Sequence, residues 1–163
     1  MQQPTIESSS RYLCVDLGSE QYAVPILCVR EIQAYAAPTP LPRTPPHVRG
    51  VTNLHGTIVP VVDLRLRVGM PEQPYGRLTV IVFVAAGEQV VGFIVDAAAR
   101  VLDIAQAEIK RPPSMADGVD VSFIAGITKL GDRVIVVLEI DALLRSDPAS
   151  AALERKPELR RDS

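Results

Sequence analysis

A repeated hairpin motif constrains the fold of this chain most strongly. The stretch Gly50–Leu64 contains a short strand, a tight glycine-containing turn and a β-branched apolar run that ends at an acid. A similar stretch returns at Gly126–Ile140. A tight glycine turn between two apolar runs is the sequence signal of a β-hairpin. Each stretch therefore predicts a hairpin that includes a buried strand.

A second pair of segments supports an internal duplication. The segment Cys14–Val24 resembles Val82–Gly92, and each places Glu-Gln beside a glycine between two apolar runs. Equivalent positions lie roughly 70 to 76 residues apart, which is too long for a solenoid repeat and suits two small barrels. The sequence predicts an all-β fold in which hairpin, connection and hairpin occur twice.

The connections between hairpins carry prolines. Pro25 is compatible with a first helical turn, so a short helix is predicted from there through Glu31, with its equivalent in the second half at Asp96–Val101. Five prolines between residues 37 and 46 remove backbone donors and predict an extended edge or loop. We interpret this segment as a stiff crossover between the two halves, although Pro42–Pro45 also matches a proline-ligand motif.

Length and charge set the remaining limits. A chain of 163 residues can bury about 70% of its unfolded surface. We expect a flexible leader at 1–10, one domain of two interleaved barrel subdomains at 11–145, and a flexible or partly helical tail at 146–163. The net charge of −2 gives no electrostatic footprint for nucleic acid or a membrane surface. The polar N-terminus lacks a signal-peptide core, so a cytoplasmic protein is expected.

Catalytic chemistry is disfavoured by the residue inventory. The chain has only two histidines, His47 and His55, with no nucleophile elbow, zinc-ligand spacing or phosphate-binding glycine loop. Cys14 and Cys28 lie in apolar surroundings and are predicted to be buried, reduced thiols. We therefore expect a protein that is not an enzyme and that needs no metal or cofactor. An enzyme would need Asp, His or Cys side chains that converge in a pocket.

His55 is the most distinctive polar residue of the repeated motif. It precedes Gly56 at the tip of a predicted turn, where a side chain is exposed. Glu31 is an exposed carboxylate candidate in the same half of the chain. From the residues alone, His55 can equally be an exposed turn residue without a role.

Five segments together resemble the CheW family of bacterial chemotaxis coupling proteins. They are Glu20–Val24, Val29–Ile32, Gly50–Gly56, Val59–Leu64 and Val95–Asp96. The resemblance spans roughly residues 10 to 145, and the same domain forms the regulatory end of the chemotaxis histidine kinase CheA. It implies two five-stranded SH3-like barrels joined through a shared hydrophobic core, which agrees with the duplication.

The resemblance also implies the activity and the partners. Members of this family are non-catalytic adaptors that bridge the cytoplasmic tip of methyl-accepting chemoreceptors to the regulatory domain of CheA, at membrane-anchored receptor arrays. An alternative is a CheW-like scaffold of another chemosensory pathway that competes for receptor or kinase without activating it. A generic proline-peptide binder fits less well, because such domains display an aromatic-lined groove and this chain has few aromatic residues.

Candidate site residues follow from the same resemblance. The implied receptor-binding residues are Val29, Glu31, Ile32, Gly50, His55 and Val95, and the implied kinase-binding residues are Phe123 and Ile124. Core packing stays open for Val29, Phe123 and Ile124, and a backbone requirement stays open for Gly50.

His55 departs from the family pattern. Arginine commonly stands at this position, where it can pair with the acid matched by Glu31. An imidazole, which titrates near neutral pH, here replaces a permanently charged guanidinium. We hypothesise weaker or pH-dependent coupling at this point, or a different set of partners.

Overall fold

The computed structural model describes residues 9–111 and 122–145, whose backbone forms two five-stranded sheets. The strands are β1 (Ser9–Leu17), β2 (Glu20–Pro25), β3 (Val29–Ala34), β4 (Val48–Leu54), β5 (Thr57–Asp63), β6 (Val80–Ala86), β7 (Gln89–Val95), β8 (Ala97–Ala105), β9 (Ile124–Leu130) and β10 (Arg133–Leu138). The helical elements are two 3₁₀ turns, Ile26–Cys28 and Gln106–Glu108, and the short helices α1 (Leu64–Arg67) and α2 (Ile140–Arg145).

The two sheets have the same internal order. Barrel A has the order β8-β1-β2-β10-β9, and barrel B has the order β3-β6-β7-β5-β4. Each contains two antiparallel hairpins joined by one parallel pair, which is β2 with β10 in barrel A and β5 with β7 in barrel B. The predicted all-β fold, its duplication and its four hairpins are confirmed.

The chain passes between the barrels at two places. It leaves barrel A after β2 through the turn Ile26–Cys28, and it returns from barrel B after β7 at Asp96. Each crossing therefore delivers an edge strand, β3 or β8, to the other barrel.

The crossings correct three expectations about the connections. The predicted helix ends at Cys28, because the following residues pair with β6 as strand β3. The predicted equivalent at Asp96–Val101 is the start of β8 for the same reason. The proline-rich segment joins β3 to β4 inside barrel B and is not a crossover between barrels; its Thr39 pairs with Val51 as an extended edge.

The strands of the inner hairpins bury both faces. In β6, Ile81 and Phe83 face the interior of barrel B, whereas Val82 and Val84 face a core shared between the barrels. Barrel A does the same, with Tyr12 directed to its own interior and Leu13 to the shared core. Because neither face meets water, these strands are continuous apolar runs without polar alternation. The shared hydrophobic core implied by the resemblance is confirmed.

Two equivalent glycines allow the chain to cross closely over each barrel. A Cβ on Gly50, whose φ is +145°, would lie 2.0 Å from the carbonyl oxygen of Thr39. A Cβ on Gly126 would lie 2.7 Å from the carbonyl oxygen of Lys110. Thr39 and Lys110 each exchange two backbone hydrogen bonds of 2.8 Å with the residue that follows the glycine. The repeated glycine is therefore a backbone requirement.

The ends of the chain lie mostly outside the described residues. Strand β1 already begins at Ser9, inside the segment expected to be a leader. The rest of that leader and the predicted tail at 146–163 fall outside the described residues. No helix in the described part of the chain has the length and apolar character needed to cross a membrane.

We predict that Gly50→Ala lowers the free energy of unfolding by about 3 kcal/mol, because the new Cβ combines backbone strain with a clash. Gly87→Ala is the matched control, since Gly87 also has a positive φ but has nothing near its Cβ position. It should cost only about 1 to 2 kcal/mol. Equilibrium urea unfolding measures both values, and equal losses would contradict the close-approach account.

Candidate functional site

The turn between β4 and β5 consists of His55 and Gly56. Their φ angles are +51° and +91°. Asn53 Oδ1 accepts a 2.7 Å hydrogen bond from the Gly56 N–H. Two successive positive φ angles define the hairpin turn that matches the natural twist of the strands, and histidine is among the residues that tolerate the first position. This geometry leaves the His55 side chain 72% exposed.

The turn reaches across barrel B to the strand at the other edge of its sheet. His55 Nε2 lies 2.7 Å from Glu31 Oε1 on β3. The amide of Gln33 donates a 2.8 Å hydrogen bond to Glu31 Oε2. Since β3 and β4 are the outermost strands of the sheet, this contact links its two edges. The expected proximity of His55 and Glu31 is confirmed.

The two hydrogen bonds favour the ionised form of Glu31. The bond from Gln33 and then the contact with His55 lower the pKa of this carboxyl group below its ordinary value. A neutral imidazole with its proton on Nε2 can donate to the carboxylate, and a protonated one adds a charge to the same bond. The contact therefore persists in both protonation states and is stronger in the protonated one.

We call Glu31, Ile32, Gln33 and His55 the barrel B corner. Ile32 is 43% exposed. Because side chains alternate along a strand, Ile32 projects to the opposite face of β3 from Glu31 and Gln33, so this edge presents an aliphatic group on one face and the polar pair on the other. Val29 precedes it on β3 and is half-buried against the shared core. The sequence analysis names Glu31, Ile32 and His55 as candidates. It does not name Gln33, which follows Ile32 on β3.

Other candidate residues lie elsewhere. Val95 and Phe123 are 2% and 7% exposed and belong to the shared core. Ile124 is half-buried against the same core. Gly50 lies under Thr39. Burial leaves Val95 and Phe123 almost no side-chain surface for a partner. The sequence could not show this, because its pattern does not distinguish a strand buried on both faces from one with an exposed face.

Sequence reasoning missed a second surface at the far edge of barrel A. A cleft of about 620 Å³, which we call the barrel A cleft, is lined by Glu108, Lys110, Arg111, Ile127, Thr128, Lys129 and Val134. Val134 is 54% exposed. It occupies the position in the second hairpin that Ile58, 44% exposed, occupies in the first. This match between exposed aliphatic residues in the two repeats was the available signal.

The described residues offer little for bond-making chemistry. Within 9–111 and 122–145, no three His, Cys, Asp or Glu side chains form a group that could hold a metal ion. Burial raises the pKa of both thiols, Cys14 and Cys28, which makes them weak nucleophiles. Asp63 caps α1 by accepting from the Leu66 N–H, so it has a structural role.

Comparison with protein families identifies the family to which this two-barrel chain belongs. The CheW-like domain matches residues 11–147. The chain belongs to the CheW-like family. This confirms the resemblance noted in the sequence, and it assigns the chain to a family of chemotaxis adaptors.

Individual relatives agree with the assignment. "Chemotaxis protein CheW" of Klebsiella aerogenes is 35% identical over 136 residues, which cover 83% of this chain and 82% of the relative. "Protein FrzA" of Myxococcus xanthus is 29% identical over 136 residues, covering 83% and 85%. The solved scaffolding protein TtCheW of Thermoanaerobacter tengcongensis superposes with a TM-score of 0.76 at 31% identity, covering 82% of this chain and 86% of that one.

We predict that the Glu31 carboxyl titrates below the ordinary glutamate pKa of about 4.3, and that Gln33→Ala and His55→Ala each raise its pKa towards that value. Because the folded pKa is depressed, Glu31 stabilises the fold above the ordinary pKa and loses this contribution as the pH falls through the folded value. Carboxyl-carbon NMR titration measures the shift. Arg30→Ala, which removes a neighbouring exposed cation, should leave it unchanged; no shift in either test variant would contradict the contact.

Proposed function

We propose that this CheW-like protein is a non-catalytic adaptor that couples methyl-accepting chemoreceptors to the histidine kinase CheA and so controls autophosphorylation of the kinase. The observation that carries this proposal is the family match over residues 11–147, nearly the whole described chain. The fold supports it, because two barrels with separate exposed surfaces can hold two partners at once. The adaptor acts at membrane-anchored receptor arrays.

The barrel B corner is the proposed receptor-binding surface. A receptor tip is a helical hairpin, and a helix presents an apolar stripe bordered by polar residues. Ile32 offers apolar contact, and the pair of Glu31 and His55 offers a charged rim that fixes register. Val29 supports this strand from the core side. Gly50 contributes indirectly, by allowing the backbone approach that places β4 and its turn.

The barrel A cleft is the proposed kinase-binding surface, in place of Phe123 and Ile124, because Phe123 belongs to the shared core and Ile124 packs against it. Its rim carries three cations, Lys110, Arg111 and Lys129, and one anion, Glu108, giving a local charge of 3 − 1 = +2. The whole chain has a net charge of −2. Exposed Val134 adds aliphatic surface beside these charges. The complementary partner surface is an acidic segment with aliphatic side chains.

A second candidate function is a scaffold of another chemosensory pathway that competes for receptor or kinase without activating it. Two observations favour keeping it as the alternative. His55 stands where the family commonly has arginine, and a relative in Myxococcus xanthus is named FrzA and not CheW. Both candidates require receptor or kinase binding and differ in activation.

For the receptor surface, we predict that His55→Arg binds a receptor cytoplasmic fragment more tightly than the wild type, because a permanently charged, forked guanidinium replaces the imidazole that contacts Glu31. Thr57→Arg adds the same charge beside the turn and should leave the affinity near the wild-type value. Isothermal titration calorimetry measures the affinities, and an unchanged affinity in His55→Arg would refute the role of His55.

For the kinase surface, we predict that Lys129→Glu weakens binding to the CheA regulatory domain by about tenfold or more, because it places like charges together. Receptor affinity should stay at the wild-type level, since the barrel B corner is untouched. Arg100→Glu, which reverses an exposed charge on β8 of the same barrel, is the control. Equal effects of the two reversals would show that the cleft has no specific role.

A further inference from the structure

Arg65 of α1 makes a bidentate ion pair that lies between the barrels. Its Nε donates to Asp96 Oδ1 at 3.1 Å, and its Nη2 donates to Asp96 Oδ2 at 2.5 Å. The arginine is only 9% exposed. Two parallel hydrogen bonds fix direction as well as distance, which a single point-charge contact does not.

Asp96 connects this arginine to barrel A. It stands at the crossing from β7 of barrel B to β8 of barrel A. Its Oδ2 also accepts a 2.6 Å hydrogen bond from the Gly18 N–H in the turn between β1 and β2. Its own N–H donates to the Asp16 carbonyl at 2.9 Å. One carboxylate therefore joins the α1 helix of barrel B, the crossing segment and a hairpin turn of barrel A.

The charge of Asp96 is maintained at this junction. Partial burial raises the pKa of its carboxyl group, but the hydrogen bonds from Arg65 and Gly18 outweigh burial and hold the pKa below its ordinary value. The Arg65 pKa is raised, first by the hydrogen bond to Asp96. The pair is therefore charged on both sides throughout the neutral range.

Further contacts from the same segment reach barrel A. The Arg67 guanidinium carbon lies 5.7 Å from the centre of the Phe123 ring. The methyl carbon of Met70 lies beside Gly18, 3.5 Å from the position a Cβ would take there. The other crossing differs in character, because Ile26 and Cys28 pack against the shared core with aliphatic and thiol groups.

We propose that Arg65 is a positioning residue that, through Asp96 and Gly18, fixes the angle between the two barrels. Burial of apolar surface in the shared core holds the barrels together and is non-directional. The hydrogen bonds at Asp96 add contacts of fixed direction between the two barrels. The orientation of the barrel B corner relative to the barrel A cleft follows from this angle.

Pulsed electron spin resonance distances between spin labels test the proposal directly. One label pair spans the barrels, at Glu88→Cys on the β6–β7 turn and Asp132→Cys on the β9–β10 turn. A second pair, Glu88→Cys with Thr57→Cys, reports within barrel B. The background carries Cys28→Ala, while Cys14 is buried and remains. Arg65→Met and Asp96→Asn remove the ion pair, and Arg65→Lys retains the charge with less directional bonding.

Arg49→Met is the matched control. Arg49 is also a partly buried arginine, bonded to Tyr75, Glu72 and Pro46, but all these contacts lie within barrel B. Its removal should destabilise that barrel without changing the angle between the two barrels.

The expected result is a broadened or shifted inter-barrel distance distribution in Arg65→Met and Asp96→Asn, an intermediate one in Arg65→Lys, and an unchanged distribution within barrel B. Arg49→Met should lower the thermal midpoint and keep the inter-barrel distribution. If Arg65→Met does not fold, Asp96→Asn, which keeps the size of the side chain, gives the decisive result. An unchanged inter-barrel distribution in the folded variants, or an equal broadening in Arg49→Met, would overturn the proposal.

A functional consequence rests on the proposed adaptor role. Because the angle between the barrels is no longer fixed, Arg65→Met should still bind receptor alone and kinase alone. It should lose kinase activation in the complex of receptor, adaptor and kinase. Loss of binding to each partner alone would overturn this consequence. The spin-label distances do not involve receptor or kinase. A failure of the proposed adaptor role can therefore be distinguished from a failure of the proposal that Arg65 fixes the angle between the barrels.

Discussion

Burial of both faces of the inner hairpins is the constraint on which the rest of this structure depends. Strands β1 and β2 of barrel A and β6 and β7 of barrel B each contribute one face to their own interior and the other to the core between the barrels. Neither barrel can cover its second apolar face alone. The barrels must therefore stay together, and the corner and the cleft lie at the outer edges, away from this shared core.

Much of this architecture could be predicted from the sequence, because the hairpin motif occurs twice in it. The hairpin from Gly50 and its copy from Gly126 have the same turn length, the same close approach of the chain and the same exposed aliphatic position. The exchange of edge strands could not be predicted, since β3 and β8 have no pattern that tells which sheet they join. The expected helix through Glu31 was wrong for this reason: pairing with β6 overrides a local preference that starts at Pro25.

Only part of the candidate site could be predicted from the sequence. The contact of His55 with Glu31 joins the turn after β4 to β3 at the opposite edge of the sheet. It was therefore expected from the family resemblance and not from the spacing of the two residues in the sequence. The resemblance implies partner contacts for Val95 and Phe123, but both are buried. Their burial could not be predicted, because an apolar residue in a strand gives the same sequence pattern whether one face or both are buried. Charges near the barrel A cleft were overlooked because Lys110 and Lys129 are brought together only by the pairing of Lys110 with Ile127. The chain belongs to the CheW-like family, whose members are non-catalytic scaffolds, and this agrees with the expectation of binding without catalysis.

The most direct measurement is the autophosphorylation rate of CheA from the same organism, with receptor cytoplasmic fragments, in the presence and absence of this protein. The adaptor account predicts that the protein increases the rate only when receptor is present, and that Glu31→Arg, which reverses the charge of the barrel B corner, removes the increase. Binding to receptor and kinase without any increase in rate would contradict the account and identify a competing scaffold.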